Sequence, residues 1–223
     1  MPVYLITQSV GKGKFRDYDF LFSNYTEYFE DKNINLVRIS NFSRDLKNYL
    51  REFKDNRISG IILTGGNSID PKLYGSSEFL DDVSTERDST ERYLLDLAVK
   101  NEIPILGICR GFEFINVYFG GKIRKIDSHS AVSHHVKIVD PEAAKCLGSS
   151  FRVNSFHNYG ITPEDVSKKL KTFATAEDDT IEGLYHPTLP IAGIMWHPER
   201  PDCNKEFNTR LVNAFLQRDL FWK

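Results

Sequence analysis

Residues 104–119 read PILGICRGFEFINVYF and contain the sequence Gly-x-Cys-x-Gly centred on Cys109. A short apolar run, Ile105–Ile108, precedes the cysteine, and the amphipathic segment 112–119 follows it. This order predicts a buried strand, a sharp turn allowed by the two glycines, and a helix, which is the nucleophile-elbow pattern with cysteine in place of serine. In an open α/β sheet, such a turn places its central side chain above the carboxyl end of the strand, where ligands bind.

The first half of the chain alternates between apolar runs and amphipathic stretches. Short runs rich in Val, Ile and Leu are typical of buried parallel strands, and they lie at residues 3–7, 36–39, 61–63 and 105–108. Apolar residues at helical spacing predict helices at residues 18–29, from Leu46 through Leu50 to Phe53, and at residues 86–100. The alternation predicts an α/β fold whose sheet is covered by helices on both faces.

The second half of the chain predicts strands joined by short links. We expect them at residues 135–139, 151–153, 172–176, 181–185 and 191–195, with a closing helix at residues 204–220. The sequence contains no internal repeat and no linker rich in Pro, Gly or Ser. We therefore expect one domain over residues 1–223 with a mixed central sheet.

Composition argues against several classes of function. The 223 residues carry 29 Lys and Arg against 31 Asp and Glu, a net charge of −2, which disfavours binding of a nucleic acid polymer. No stretch approaches the roughly 20 apolar residues of a membrane span, and residues 1–8 lack the pattern of a signal peptide. The 3 cysteines make no disulfide framework. They indicate a reducing compartment, so we expect a cytoplasmic protein without membrane contact.

Cys109 is the candidate nucleophile. At the N-terminus of a helix, the helix dipole favours its thiolate, and the backbone N–H of Arg110 can donate to an oxyanion. The other interpretation is a buried structural cysteine between two turn glycines. Cys146 and Cys203 lack this setting, so we expect no role for them in catalysis.

A thiolate nucleophile needs a base, and the sequence WHPE at residues 196–199 offers one. His197 follows a predicted apolar strand, so it would lie at the same edge of the sheet as Cys109. Glu199 can orient the imidazole, which completes a Cys-His-Glu triad. The alternative is a surface turn with an incidental histidine.

The loop at residues 64–68 follows a third predicted strand and contains Gly65 and Gly66. Paired glycines allow the backbone to approach a ligand closely, and the N–H of Gly66 is the candidate second oxyanion donor. The spacing of a phosphate-binding loop is absent. An ordinary flexible loop is the alternative.

These elements occur in an order that resembles the class I glutamine amidotransferase-like γ-glutamyl hydrolases, and in particular the γ-glutamyl-γ-aminobutyrate hydrolases. The matching segments fall within residues 63–200 and are Gly65-Gly66, Asp70-Pro71, Tyr74-Gly75, Arg87-Asp88 with Glu91, residues 104–111, Asn116-Val117, Gly120-Gly121, residues 153–157 and residues 196–199. Each segment is short, and their combination is specific.

The resemblance implies a flavodoxin-like three-layer fold and hydrolysis of a γ-glutamyl amide through a cysteine thioester. The implied site residues are Cys109, His197 and Glu199 for catalysis, Gly66 and Arg110 for the oxyanion, and Asn154, Ser155, Phe156 and His157 for the glutamyl group. The substrate would be a small molecule, and no metal or organic cofactor would be needed. The sequence does not indicate an oligomeric state.

Several leaving groups and functions stay open. One subgroup of the family looks especially similar: hydrolases that release glutamate from γ-glutamyl-CDP-amidate in capsule polysaccharide biosynthesis. A small basic cluster at Lys122, Arg124 and Lys125 would suit a phosphorylated leaving group, or is a solvated face. The alternatives are a γ-glutamyl-γ-aminobutyrate hydrolase of amine catabolism and a glutaminase subunit that delivers ammonia to a synthetase partner. A non-catalytic binding module is disfavoured by the intact triad.

Glu113 departs from the family pattern, in which a glutamine stands four residues after the nucleophile. A carboxylate there attracts an α-ammonium and repels an α-carboxylate. We therefore expect Glu113 to bind the α-ammonium of a glutamyl substrate. The alternative is that Glu113 faces solvent.

A group of histidines, His129, His134 and His135, precedes a predicted strand. No Cys-x-x-Cys or His-Glu-x-x-His pattern accompanies them, which favours a solvated loop over a metal site.

Overall fold

A computed structural model describes residues 1–51, 58–201 and 204–221. Its strands are β1 (Val3–Ile6), β2 (Ser9–Gly11), β3 (Tyr18–Phe20), β4 (Asn35–Arg38), β5 (Ile58–Leu63), β6 (Ile105–Ile108), β7 (Arg124–Lys125), β8 (Ser130–Ile138), β9 (Ser150–Phe156), β10 (Tyr159–Gly160), β11 (Lys171–Ala176), β12 (Ile181–Tyr185) and β13 (Ile191–Ile194). Its helices are α1 (Ser23–Glu30), α2 (Leu46–Arg51), α3 (Thr85–Asn101), α4 (Arg110–Tyr118), α5 (Pro141–Leu147) and α6 (Lys205–Gln217).

Nine strands form one mixed sheet in the order β4-β1-β5-β6-β13-β12-β11-β8-β9. Neighbours from β4 to β13 run parallel. From β13 through β12, β11 and β8 to β9 each neighbour is antiparallel. The predicted mixed sheet is therefore confirmed, and β13 is the strand at which the two halves meet.

Alternate residues of the parallel strands pack on opposite faces of this sheet. Ile6, Ile108 and Ile194 belong to a core shared with buried residues of α1, α5 and α6. On the opposite face, Leu5 of β1 and Ile105 of β6 belong to a second core with buried residues of α2, α3 and α4. Burial on both faces is why these strands read as continuous apolar runs, and the predicted coverage by helices on both faces is confirmed.

The N-terminal segment differs from the prediction. Residues 18–20 were expected to begin a helix, but Tyr18–Phe20 pairs antiparallel with Ser9–Gly11, and α1 begins at Ser23. The prediction for Phe53 falls outside the described residues. Helix α5 was not predicted, although Asp140 caps its N-terminus by accepting from the N–H groups of the second and third helical residues. The other predicted strands and helices are confirmed, with shifted ends.

The carboxyl ends of β1, β5, β6 and β13 lie at one edge of the sheet, because these strands are parallel. The segments that leave this edge carry Thr7, Thr64, Cys109 and His197. The predicted nucleophile and base are thus brought to one place. In the part of the chain that the structure describes, no helix has the length and apolar character needed to cross a membrane.

Candidate active site

Cys109 links β6 to α4 in a strained backbone conformation. Its φ of 53° and ψ of −108° fall in a region that residues with a side chain rarely occupy. The Cys109 N–H donates to the Ile194 carbonyl at 2.8 Å, and the Cys109 carbonyl accepts from the Glu113 N–H at 3.1 Å. These bonds fix the turn on both sides, and the thiol stays partly exposed at the N-terminus of α4.

The glycine two residues after Cys109 permits close packing. A Cβ at Gly111 would collide with the carbonyl oxygen of Leu63, at the end of β5. Neither Gly107 nor Gly111 has a positive φ. A Cβ at Gly107 would lie 2.6 Å from the backbone of Gly111, so the prediction that the two glycines allow the sharp turn is confirmed. Cys109 supplies the positive φ of the turn, and Gly111 lets α4 begin against the neighbouring strand.

His197 lies next to Cys109, because a Cβ on Gly65 would touch both side chains, and His197 Nδ1 is 2.6 Å from Oε1 of Glu199. Because Nδ1 donates to the carboxylate, Nε2 is the atom that faces the thiol. Burial lowers the pKa of His197, but the charge and hydrogen bond of Cys109, and then those of Glu199, raise it to about 9. An imidazolium in this place favours the thiolate form of its partner.

The backbone of His197 is held by its neighbours. Asn154 Nδ2 donates to the His197 carbonyl and Asn154 Oδ1 accepts from the His197 N–H, each at 2.9 Å. Trp196 is fully buried in the core and donates through Nε1 to Asn208 Oδ1 at 2.9 Å. The structure thus places Asn154, on β9, against the segment that carries the base. Its contact with substrate stays a prediction.

Gly65 packs directly against the Cys-His pair. A Cβ at Gly65 would lie 2.8 Å from His197 Cε1 and 3.4 Å from Cys109 Cβ. The Gly65 N–H donates to the hydroxyl of Tyr25 at 3.0 Å. The N–H of the exposed Gly66 makes no hydrogen bond within the described residues, and its role as an oxyanion donor stays a prediction. Tyr25 was missed as a site residue because its sequence setting matches the apolar face of a helix.

The loop predicted to recognise the glutamyl group divides into buried and exposed members. Ser155 is buried and donates through Oγ to the His129 carbonyl at 2.6 Å. His157 is buried too, and burial lowers its pKa to about 3. Phe156 is 38% exposed, its ring stands edge-on to the His197 ring with centroids 6.1 Å apart, and the Arg200 guanidinium lies over it. Phe156 is the member of this loop that a substrate can reach beside the base.

Glu113 lies inside the protein and is only 8% exposed, so the alternative that it faces solvent is wrong. Its Oε1 has no hydrogen-bond partner among the described residues. Burial raises the pKa of Glu113 to about 7, although the nearby Arg110 lowers it. The Glu113 charge also contributes to the raised pKa values of Tyr74 and Tyr159, after burial in both cases, after Tyr159 for Tyr74, and after Glu78 and Asp82 for Tyr159.

Four buried charges lie beneath the site. The Arg110 guanidinium pairs with Asp88 and Glu91, and Arg87 Nε pairs with Glu91 Oε1 at 2.9 Å. Two cations and two anions make the group neutral. The pKa of Asp88 is raised, because the effect of burial exceeds that of Arg110, which lowers it. Burial also acts to raise the pKa of Glu91, but Arg110 and Arg87 together exceed this effect, so the pKa of Glu91 is lowered.

The same charged side chains also form hydrogen bonds with the residues that follow β1 and β5. Arg87 donates to the carbonyl oxygens of Thr64 and Gly65 at 2.7 and 3.0 Å. Thr7, beyond β1, donates through its hydroxyl to Glu91 Oε1 at 2.9 Å. Arg110 was predicted to act through its backbone N–H. No role was predicted for its side chain, which connects the nucleophile turn to this network.

The Peptidase C26 family profile matches residues 36–199. The chain belongs to this family, whose members are class I glutamine amidotransferase-like proteins. A γ-glutamyl-CDP-amidate hydrolase of Campylobacter jejuni is 35% identical over 143 residues, 64% of this chain and 63% of that protein. A γ-glutamyl-γ-aminobutyrate hydrolase of Escherichia coli O157:H7 is 30% identical over 183 residues, 72% of this chain and 71% of the relative.

The fold is shared with a solved structure of a glutamine amidotransferase. A glutamine amidotransferase from Thermotoga maritima matches with a TM-score of 0.61 at 17% identity, covering 97% of this chain and 83% of that one. This similarity confirms the expected flavodoxin-like class I fold. The family and its named relatives support a hydrolase.

The remaining predicted features fall outside the triad. Arg124 of the basic cluster pairs with Asp165 and with Glu164, so its charge is already partnered. His129 is 4% exposed, which makes the prediction of a solvated loop wrong for this residue. Cys146 is exposed on α5. Cys203 lies outside the described residues.

The first prediction concerns the coupling of His197 to Cys109. In Cys109→Ala the pKa of His197 should fall below its value of about 9, because Cys109 makes the largest contribution that raises it. Titration of the His197 ring nitrogens by NMR measures this change. An unchanged pKa in the variant would show that the thiolate is not the partner of this imidazole.

The second prediction concerns the buried charges. Glu91→Gln should lower the free energy of unfolding by about 3–5 kcal/mol, because Arg87 and Arg110 then lose their shared carboxylate. Urea denaturation measures the loss. Glu30→Gln, an exposed glutamate at the end of α1, is the matched control and should stay within about 0.5 kcal/mol of wild type. A loss no larger than that of the control would contradict the bracing role of the network.

Proposed function

We propose that this Peptidase C26 protein is a cysteine-dependent hydrolase of γ-glutamyl amides. The observation that carries the proposal is the contact of Cys109 with His197, whose other ring nitrogen is held by Glu199. This is the nucleophile, base and orienting group of a hydrolytic triad. The γ-glutamyl hydrolases among its relatives support the same chemistry.

Acylation starts from the Cys109 thiolate and the His197 imidazolium. The sulfur attacks the γ-carbonyl carbon, and the negative charge moves to the carbonyl oxygen. The N–H groups of Gly66 and Arg110 stabilise this oxyanion. When the intermediate collapses, the carbon–nitrogen bond breaks, and His197 gives its proton to the leaving amine. The product is a γ-glutamyl thioester on Cys109.

Deacylation returns the enzyme to its starting state. His197, now neutral, takes a proton from water, and the resulting hydroxide attacks the thioester carbon. The carbon–sulfur bond breaks, glutamate leaves, and the Cys109 thiolate again faces an imidazolium. The cycle requires that Cys109 is neither oxidised nor in a disulfide when substrate binds, which fits the reducing cytoplasm expected from the composition.

The glutamyl half of the substrate is proposed to bind on the α4 side of Cys109. Glu113 stands on the first turn of α4 and has an unpartnered buried oxygen. A substrate α-ammonium would provide the partner that this oxygen lacks, in a charge-assisted hydrogen bond. Phe156 and Gly65 border the opposite, His197 side.

The leaving half is the less determined part of the substrate. Arg200 lies over the ring of Phe156 at 3.9 Å from its centroid, beside the residue that protonates the leaving amine. A guanidinium in this place suits an anionic leaving group. γ-Glutamyl-CDP-amidate, named for the Campylobacter jejuni relative and linked by the sequence resemblance to capsule biosynthesis, is therefore the first substrate to test.

The third prediction tests the triad and the substrate together. Wild type is incubated with γ-glutamyl-CDP-amidate, γ-glutamyl-γ-aminobutyrate and glutamine, and mass spectrometry identifies the products. Glutamate should appear with the matching amine. Cys109→Ala and His197→Ala should each lower turnover by about 10⁴ to 10⁶, and Glu199→Gln by less, because an orienting group contributes less than the proton carrier.

Controls for this experiment come from the same chain. Cys146→Ala removes an exposed thiol and should leave turnover unchanged. Cys203→Ala serves as a second thiol control. Turnover retained in Cys109→Ala would overturn the mechanism. Release of ammonia from glutamine only when a synthetase is added would instead identify a glutaminase subunit.

The fourth prediction concerns Glu113 and the α-ammonium. Wild type should prefer a free-amine γ-glutamyl substrate to its N-acetylated form by at least about tenfold in kcat/KM. The preference should increase as pH rises through about 7, because the ionised carboxylate attracts the ammonium and the pKa of Glu113 is about 7. The values of kcat/KM for the two substrates are measured from pH 5.5 to about 8.5. Both values depend on the ionisation of the same triad, so this dependence cancels in their ratio.

Glu113→Gln is the matched variant, since it keeps the shape of the side chain and removes its charge. Its preference for the free amine should be smaller and independent of pH. Steric exclusion of the acetyl group would leave the same preference in both enzymes at every pH. That result would contradict recognition of the ammonium by Glu113.

A further inference from the structure

Glu182 is a carboxylate inside the antiparallel half of the sheet. It stands on β12 between apolar neighbours and is 0% exposed. Neither Oε1 nor Oε2 has a hydrogen-bond partner among the described residues. A buried carboxylate without a partner is strongly disfavoured, so a proton or a cation must accompany it.

Three histidines surround this carboxylate. His134 Nε2 lies 3.4 Å from Glu182 Oε1, His129 Nδ1 lies 3.7 Å from it, and His157 Nε2 lies 3.8 Å from it. The three ring nitrogens also lack hydrogen-bond partners within the described part of the chain. The adjacent His135 is exposed, because successive side chains of β8 alternate between faces.

In two of the histidines, the ring nitrogen that faces away from Glu182 already has a hydrogen-bond partner. His157 Nδ1 lies 2.7 Å from the Tyr159 carbonyl oxygen, and His129 Nε2 lies 2.9 Å from Asp178 Oδ2. These oxygens accept, so the nitrogens facing them carry the hydrogens. In the neutral rings, His129 Nδ1 and His157 Nε2 then present lone pairs to Glu182. Acceptors facing a carboxylate repel one another unless a cation lies between them.

We propose that His129, His134 and Glu182 form a binding site for one transition-metal dication of the zinc type, with His157 beside it. Imidazole nitrogen and carboxylate oxygen are ligands that Zn²⁺ takes, whereas Mg²⁺ and Ca²⁺ prefer oxygen alone. With bonds of about 2.0–2.1 Å, the ligand atoms of a tetrahedral zinc ion lie about 3.3–3.4 Å apart. The distances of 3.4 Å from His134 Nε2 and 3.7 Å from His129 Nδ1 to Glu182 Oε1 are close to this spacing.

The surroundings match those of known metal centres. Metal-bound histidines commonly donate their other N–H to a carboxylate or a backbone carbonyl, which orients the ring. Asp178 occupies such a position at His129 here. The group His129, His134 and Glu182 also has ligand atoms that all lie within 4.8 Å of one another.

The role of this ion is structural. None of the three ligands belongs to the triad, and His129 and Glu182 are buried. The ligands join β8 and the residue before it to β12. Asn154, which holds the backbone of His197, lies on β9 opposite Ser133, the neighbour of His134 on β8. The ion therefore stabilises the half of the sheet that supports the base.

The fifth prediction is binding of one Zn²⁺ per chain. Untagged protein in the Cys109→Ala background, which removes a thiolate that also binds zinc, is stripped with a chelator and titrated with Zn²⁺ alone. Elemental analysis after gel filtration should find one equivalent. The Tm should rise by about 5–10 °C at a zinc concentration about 100-fold above Kd. Co²⁺ in place of zinc should give visible absorption of a four-coordinate site without a thiolate charge-transfer band.

Variants assign the ligands. Glu182→Gln and His129→Ala should each weaken binding at least about 100-fold, and the exposed neighbour variant His135→Ala should bind like the parent protein. No bound zinc in the parent protein, or one equivalent retained by Glu182→Gln, would overturn the proposal. The first of these results, with a lowered Tm for Glu182→Gln, would show that protons shared with the histidines hold the cluster together.

Discussion

The candidate active site depends on four buried charges, Arg87, Asp88, Glu91 and Arg110, that cross-link the carboxyl edge of the parallel strands. The group is neutral as a whole, so it can lie without solvent beneath the nucleophile. Its members reach the chain after β1, the loop after β5 and the first residue of α4. Removal of one member would leave the others as uncompensated charges. The network therefore positions Gly65 and Cys109 relative to each other more firmly than apolar packing alone.

This bracing explains how Cys109 keeps a strained backbone. A positive φ at a residue with a side chain costs about 1–3 kcal/mol, and it persists only where the surroundings determine it. Here the surroundings are the hydrogen bond to Ile194, the start of α4 and the contact of Gly111 with the end of β5. The Cys109 thiol therefore lies beyond the end of β6 and at the N-terminus of α4, where the helix dipole stabilises its thiolate.

Features that depend on neighbouring residues could be predicted from the sequence. Features that depend on contacts between distant parts of the chain could not. The elbow and the strands at residues 105–108 and 181–185 follow from short apolar runs and turn residues, and the structure has them at the predicted bounds. The strand Tyr18–Phe20 was mistaken for the start of a helix because apolar residues at helical spacing, Phe22, Tyr25 and Phe29, follow it directly. A signal for Glu182 was present, since a lone acid in an apolar strand is unusual. Its histidine neighbours come from separate segments, so only the fold unites them.

The Cys-His pair also bridges the two halves of the sheet. Cys109 follows β6, inside the parallel half, whereas His197 follows β13, whose other neighbour β12 is antiparallel. The base is further held by Asn154 from β9, at the far edge of the antiparallel half. Relative movement of the halves would therefore change the contact between sulfur and imidazole. It follows that whatever neutralises Glu182 on β12, next to β13, also helps to keep the base within reach of the nucleophile, although it takes no part in the bond-breaking steps.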